Sequence, residues 1–386
     1  MESNDACFAQ RMGFDLMNLE DIAKLAGVSR STVSRVVNND PRVSDAVRER
    51  VQDIIDRSNY HPNAAARSLA TRRTRIVGLL IPQEIEAIFV DAWFARLIQE
   101  TARACQRHDL SFMLMMEHSN DQVAVDRLVR RTIQGHHLDG LIVASSFIDD
   151  VLVSRLAEER FPYAIIGRDP NSQANFVDID NRSASRHAVV HMLSHGRTRP
   201  ALIAGPESMV AANDRKAGFF DALQLLSFDP NRVPVRHADW SQQAAFRATL
   251  ELLDLPDQPD CFFAASDSMA IGVIQAIRQR GYRVPEDISV VGFDDIDRER
   301  TIPLGLTTIS QPIHKTASYA IELLLAQLDP NDATPRQQMF PTRLIVRTSC
   351  GCTVPEVTEL PSEFVFNREG RLVPEAPSTQ LIESIR

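Results

Sequence analysis

Apolar positions follow two different rhythms along this chain. Between residues 18 and 58 they recur at helical spacing: Leu19, Ile22, Ala23 and Ala26 form one stripe, Val33, Val36 and Val37 a second, and Val47, Val51, Ile54 and Ile55 a third. Helices this short cannot each keep a stripe dry alone, so the pattern predicts a small three-helix core. From Ile76 the rhythm changes to short continuous apolar runs, each leading into an amphipathic stretch: 76–81 before a helix near 94–107, 112–116 before one near 121–134, and 140–145 before one near 149–159. Runs at 163–167, 177–179, 201–205, 261–266 and 288–293 continue the series. Strands covered by helices on both faces carry this signature, so the predicted body is α/β with parallel sheets.

Polar residues at the helix ends sharpen the first part. Asn18 stands as an N-cap with Asp21 three residues on, Gly27 can turn the chain in the left-handed region, Ser29 precedes the second helix and Ser44 the third. Helix, glycine turn and helix at this spacing form a helix-turn-helix. In its second helix the valine stripe leaves Arg30, Ser31, Thr32, Ser34, Arg35 and Asn38 facing solvent or DNA. The Arg35 guanidinium suits the O6 and N7 acceptors of guanine, and Ser31 and Thr32 suit base edges or thymine methyls. After Pro62 the segment NAAARSLATRRTR is alanine-rich and basic but offers little apolar surface, so it is predicted to fold only on DNA.

Charge narrows the picture. The net charge of −9 argues against non-specific coating of DNA. It is unevenly divided, with 11 Lys and Arg against 7 Asp and Glu in residues 18–75 and 31 against 44 elsewhere, which confines the DNA footprint to the head. A chain of 386 residues, 44% hydrophobic, suffices for a small domain and a larger two-lobed one. No apolar span reaches the ~20 residues of a membrane helix, and charges interrupt the first seventeen residues, so neither insertion nor secretion is expected.

Of five cysteines only Cys350 and Cys352 are close in sequence, and they offer neither a disulfide framework nor a four-ligand zinc site; reduced thiols in the cytoplasm are expected. His136 with His137, and His187 with His191, read as solvated faces. No metal and no cofactor is expected. No GxSxG elbow, P-loop or GxGxxG fingerprint occurs, so catalysis has no apparatus. Residues 1–17, and 355–386 with Pro355, Pro361, Pro374 and Pro377, read as irregular extensions.

The motifs DIAKLAGVSRSTVSRVVN and NYHPNAAARSL closely resemble the head and hinge signatures of the lactose/galactose repressor (LacI/GalR) family, and the likeness runs from about Asn18 to about Cys350. The resemblance implies a DNA-binding head at 18–62, a hinge helix and linker at 63–75, and at 76–354 two Rossmann-like lobes of the periplasmic-binding-protein type, joined by three crossovers around an effector cleft. It implies that Asn63 begins the hinge helix, Ala66 packs against the minor groove and Leu69 wedges into it at the operator centre, where apolar wedges kink DNA. It also implies that Arg215 holds effector hydroxyls or carboxylates, that Asp294 takes paired sugar hydroxyls and that Trp240 stacks on the effector. Ligands of such sheets lie beyond the strand ends, which adds Arg168 with Asp169, Ser266, Asp267 and Gln311; Asp267 also suits an N-cap, leaving Ser266 the better pocket residue. The segments IIGRDP and FVDIDN resemble the branch that senses maltose-like α-glucosides.

The expected protein is therefore a homodimeric repressor of carbohydrate uptake or catabolism genes, bound to palindromic operator DNA and released by a small sugar. A regulator using a purine or other metabolite as corepressor is the alternative. An exported sugar receptor would lack the head, and a sugar enzyme would need paired catalytic carboxylates.

Overall fold

The computed structural model describes residues 17–37, 40–58, 73–82, 88, 91–116, 121–144, 147–169, 174–296, 305–329, 332, 336–366 and 372–374. The chain divides into two compact units, Met1–Thr74 and Arg75–Arg386.

The first unit contains α1 (Leu19–Ala26), α2 (Arg30–Val37) and α3 (Asp45–Ser58). Asn18 accepts from the Glu20 and Asp21 amides while the Asp21 carboxylate accepts from the Asn18 amide, a reciprocal capping box. Gly27 closes α1 in the left-handed region at φ 62. Ile22, Val33, Val36 and Val51 are fully buried or nearly so, with Ala23, Ala26 and Ile55 beside them. Val37, Val47 and Ile54 sit half-buried at the rim of this core. The expected hinge positions Asn63, Ala66 and Leu69 lie outside the described residues, as do Asn38 and residues 1–16.

The second unit opens with a lobe built on a six-stranded parallel sheet. Its strands are β1 (Ile76–Ile81), β2 (Ser111–Met116), β3 (Gly140–Ala144), β4 (Tyr163–Ile166), β5 (Phe176–Ile179) and β11 (Gln337–Phe340), in the spatial order β11-β5-β4-β3-β1-β2. Alternation along β1 divides the core. Val77, Leu79 and Ile81 pack under α4 (Ala92–Arg107) and α11 (Ile313–Gln327), while Leu80 points the other way, to α5 (Gln122–Leu128) and α6 (Val151–Glu158). The helix expected to 134 widens after Leu128 into a π-helical stretch, Val129–Gln134.

The second lobe is built on β6 (Pro200–Ala204), β7 (Val235–His237), β8 (Cys261–Ala264) and β9 (Ser289–Val291), parallel in the order β7-β6-β8-β9. Leu202 and Ala204 face α7 (Asn181–Ser194) and α8 (Val210–Leu225); Ala201 and Ile203 face α9 (Gln242–Leu253) and α10 (Asp267–Gln279). The chain passes between lobes three times: from β5 into α7, from β10 (Thr308–Ser310) into α11, and from β11 into β12 (Thr342–Val346).

One expectation is corrected. The segment after residue 354 is not an irregular extension throughout, because β13 (Glu356–Leu360) pairs antiparallel with β12 in the order β10-β12-β13. Leu360 is buried in the second lobe, the Glu363 amide donates to Asp180 Oδ2 at 2.8 Å, and Arg186 pairs with Glu363. The proline content concealed a strand whose hydrogen bonds go to a distant partner. Among the described residues no helix is long and apolar enough to cross a membrane.

Candidate functional site

On the head, Ser29 caps α2: its Oγ accepts from the Thr32 amide at 3.1 Å and lies 2.7 Å from Ser31 Oγ and 2.8 Å from Thr32 Oγ1. With Val33 and Val36 locked into the core, Arg30, Ser31 and Arg35 are exposed and Thr32 and Ser34 half-exposed. This is the face a recognition helix needs: a positive, hydrogen-bonding surface on a rigid support.

In the body a cleft of about 760 Å³ opens between the lobes. Asp91, Trp93, Phe94 and Leu97 from the start of α4 and Ile166, Val177 and Asp178 from β4 and β5 form one wall. Met209, Ala211 and Arg215 from α8, Trp240 and Asp294 form the other, and Asn181, Gln311 and Ile313 at two crossovers form the back.

Arg215 is only 6% exposed. Its Nε donates to Asn181 Oδ1 at 2.9 Å, and its Nη1 donates to the Ala265 carbonyl at 2.6 Å and to Asp294 Oδ1 at 3.2 Å. The guanidinium lies 3.7 Å over the Phe293 ring, which fixes its plane. Gln311 Nε2 also donates to Asp294 Oδ1, at 2.6 Å. Both bonds land on Oδ1, so Oδ2 keeps its acceptor capacity. Asp294 (φ 120), Asp295 (φ 54) and Trp240 (φ 69) all occupy left-handed backbone that side-chain-bearing residues rarely adopt, and such strain gathers at ligand sites. Trp240 lies flat on Gly205, where an added Cβ would stand 2.5 Å from the ring, and its Nε1 donates to Met209 Sδ at 3.1 Å.

The cleft is rich in carboxyl groups. Burial pushes Asp294 up to about 7 despite the opposing pull of Arg215. Burial likewise raises Asp91 and Asp178, against hydrogen bonds to the Trp93 and Ser268 groups in the first case and the Arg168 charge in the second. Asp91 Oδ1 accepts from the Trp93 amide at 3.0 Å and from Ser268 Oγ at 3.2 Å, a bond that joins the first lobe to the second.

Of the expected cleft residues, Arg215, Asp294, Trp240 and Gln311 meet there. Three do not. Ser266 is the N-cap of α10, accepting from the Met269 amide at 3.1 Å, and Asp267 is buried behind it, accepting from Thr308 Oγ1 at 2.6 Å and the Ile296 amide at 3.2 Å. The cap expected of Asp267 is thus supplied by Ser266, and neither residue lines the cleft. Arg168 turns away to pair with Asp178 at 2.9 Å and Asp214 at 2.6 Å, linking the first lobe to α8 of the second. The Asp169 carboxyl is buried outside the cleft lining.

Sequence reasoning missed Asp91, Trp93, Asp178 and Asn181. Asp178 carried a signal, an acid inside a buried strand; Asp91 and Asn181 carried none beyond ordinary helix starts. His187 and His191, expected on a solvated face, are half-buried. His187 bonds back to the Ser183 carbonyl at 2.8 Å, whereas His191, His195, Cys350 and Cys352 bring one ligand atom each to within 4.8 Å of one another.

Comparison with known proteins agrees with this arrangement. Residues 18–63 match the model for bacterial regulatory proteins of the lacI family, and residues 189–350 match that for a periplasmic binding protein-like domain. The HTH-type transcriptional regulator CelR of Thermobifida fusca is 35% identical over 334 residues, covering 86% of this chain and 97% of that protein. The HTH-type transcriptional repressor PurR of Aliivibrio salmonicida (strain LFI1238) is 30% identical, covering 81% and 92%. Among solved structures, a CelR–cellobiose complex is similar with a TM-score of 0.66 at 32% identity, and the lac repressor dimer bound to operator and the anti-inducer ONPF with 0.73 at 29%; each covers 86% of this chain and 99% of its own. A helix-turn-helix head followed by a two-lobed cleft is what those relatives share with it from end to end, and the chain belongs to the LacI family, as a DNA-binding transcriptional repressor that answers to a small effector and is not an enzyme.

Proposed function

We propose that this repressor holds a palindromic operator as a homodimer and is released by a neutral glucose disaccharide bound between its lobes. The observation that carries the sugar reading is the excess of carboxyl groups over cations in an aromatic-walled cleft: Asp91, Asp178 and Asp294 surround Arg215, with Trp93, Phe94 and Trp240 beside them. Carboxyl groups hydrogen-bond vicinal hydroxyls, and aromatic faces cover the C–H surface of a sugar. The α-linkage rests on the resemblance of the IIGRDP and FVDIDN segments to the α-glucoside-sensing branch, and the cellobiose complex of CelR supports a disaccharide of glucose. Closure around Arg215 and Asp294 would reorient the first lobes of the dimer and unpair the hinges, a coupling of ~1–3 kcal/mol.

Thermal melting of the full chain against maltose, trehalose, sucrose, cellobiose, monosaccharides and purine bases tests this. The fitting sugar at 100-fold excess over its Kd stabilises by about 3 kcal/mol, and the same sugar should lower operator affinity in fluorescence anisotropy. A shift with cellobiose alone would reverse the linkage, and a shift with a purine alone would overturn the sugar.

Two further outcomes are expected. An effector that needs Asp294 as an acceptor must expel its proton below the point near 7 to which burial raises it. Effector affinity should therefore fall up to tenfold per pH unit below that point and level off above it, and Asp294→Asn should flatten the slope in calorimetric titrations. The same raised carboxyl favours the folded state at low pH, fully below its ordinary value of 3.8, and that contribution is lost as pH rises through about 7. In the hinge, Leu69→Ala should weaken specific operator binding by roughly 1–3 kcal/mol if the leucine is the minor-groove wedge, with effector affinity unchanged. Operator affinity equal to wild type would remove the wedge assignment.

A further inference from the structure

The cluster lies on the second lobe. His191 sits in the last turn of α7 and His195 is its C-cap, so their rings stack edge to face with centroids 4.9 Å apart. After β12 the chain makes one 3-10 turn, Thr348–Cys350, and Gly351 at φ 105 reverses it, bringing Cys352 back beside Cys350. His191 Nε2 lies 3.4 Å from Cys350 Sγ, 3.7 Å from Cys352 Sγ and 3.4 Å from His195 Nε2, and His195 Nε2 lies 3.2 Å from Cys352 Sγ.

We propose that His191, His195, Cys350 and Cys352 form a tetrahedral site for a zinc-class divalent metal ion, which clamps the C-terminal segment to helix α7. With metal–sulfur bonds of about 2.3 Å and metal–nitrogen bonds of about 2.05 Å, tetrahedral angles place a nitrogen and a sulfur ligand about 3.6 Å apart and two nitrogens about 3.3 Å apart. Four of the six ligand–ligand distances, at 3.2–3.7 Å and 3.4 Å, match that spacing, and the other two lie within 4.8 Å.

Hydrogen bonding accounts for the cluster poorly. An imidazole Nε2 has either one proton or one lone pair, yet three polar atoms converge on that of His191, so two approaches would go unused. A shared cation uses all of them. Two thiolates and two neutral imidazoles suit zinc rather than magnesium or calcium, and the thiolates balance a divalent charge.

The surroundings also fit. Cys350 is buried while His195 is exposed and His191 and Cys352 are half-exposed, which leaves the ion a way in. Thr307 Oγ1 lies 3.1 Å from Cys350 Sγ and can donate to it once the thiol has lost its proton, the outer-sphere support such ligands need. The ligand pairs come from segments 159 residues apart, so the ion would close a long loop. It would do so at the opposite end of α7 from its N-cap Asp180, which accepts from the Glu363 amide, fastening the same C-terminal segment twice.

The test uses the full chain, prepared under reducing conditions, freed of any polyhistidine tag and grown with added zinc. Elemental analysis by mass spectrometry should find close to one zinc per chain. Cobalt(II) in its place should give the intense visible bands of tetrahedral coordination and a near-ultraviolet thiolate charge-transfer band. Cys352→Ser and His195→Ala, at positions exposed enough to spare the fold, should each weaken cobalt binding at least about 100-fold. Chelation should lower the melting temperature of the wild-type chain but not of these variants. Zinc far below one per chain, weak octahedral cobalt bands, or cobalt affinity unaltered in both variants would each overturn the site.

Discussion

Val33→Asp is expected to lower specific operator affinity at least about 1,000-fold, to the level of non-specific DNA binding. Val33 is fully buried where α1, α2 and α3 meet, and seven small or medium apolar side chains make up the buried part of that core. An unpaired carboxylate there costs several kcal/mol, comparable with the ~3–5 kcal/mol that so small a domain can muster. The head should therefore unfold, and with it the α2 face bearing Arg30, Ser31 and Arg35. The body is a separate compact unit with its own cores, so the melting shift produced by the effector should persist. Circular dichroism should show the loss of about eight helical turns, those of α1 to α3, and no more. If Val33→Asp kept operator affinity within a few-fold of wild type, DNA would have to be read elsewhere on the chain.

The second large effect belongs to Arg215→Ala. Its guanidinium ties Asn181, the Ala265 carbonyl and Asp294 into one network against Phe293, so the variant loses the proposed effector contact and the scaffold of the pocket together. Effector affinity is expected to fall at least about 100-fold, since hydrogen bonds to a charged group contribute ~1.5–3 kcal/mol each. Stability should also fall, by up to roughly 3–5 kcal/mol at pH values where Asp294 is ionised, because it is then a buried charge without its partner. That loss has a distinctive pH dependence. Asp294 already titrates near 7, and without Arg215 it rises further, so protonation relieves the unpaired charge as pH falls. The difference in melting temperature between variant and wild type should accordingly narrow on acidification and widen above neutrality. Arg215→Lys separates the two roles: it keeps the charge beside Asp294 but loses the fork, so stability should recover more than effector affinity does. An Arg215→Ala protein that melts normally and responds to effector at the wild-type concentration would place the effector elsewhere.

Local features were legible in the sequence because their causes are local. The Asn18 capping box, the left-handed Gly27, the Ser29 cap and the valine stripe of α2 each depend on residues within four positions of one another, and each forms as the spacing predicts. The alternation in β1 and its companions likewise announced sheets covered on both faces. Arg215, Asp294, Trp240 and Gln311 were reached through resemblance and through their position just beyond apolar runs. Their meeting in one cleft was not a property of any of those runs.

What only the tertiary structure decided involves partners far apart in the chain. Whether Ser266 or Asp267 caps α10 turned on Thr308 and the Ile296 amide arriving to take the Asp267 carboxylate. Arg168 left the cleft because Asp178 and Asp214 flank it from different lobes. Asp91 entered it because the start of α4 faces Ser268 across the gap. His191 and His195 met Cys350 and Cys352 because the third crossover returns the chain beside α7. Propensity and periodicity choose an element from its own residues, but sheet order and crossovers choose its neighbours, so sequence determined the elements and their faces while the tertiary fold determined which charged and polar side chains share a site.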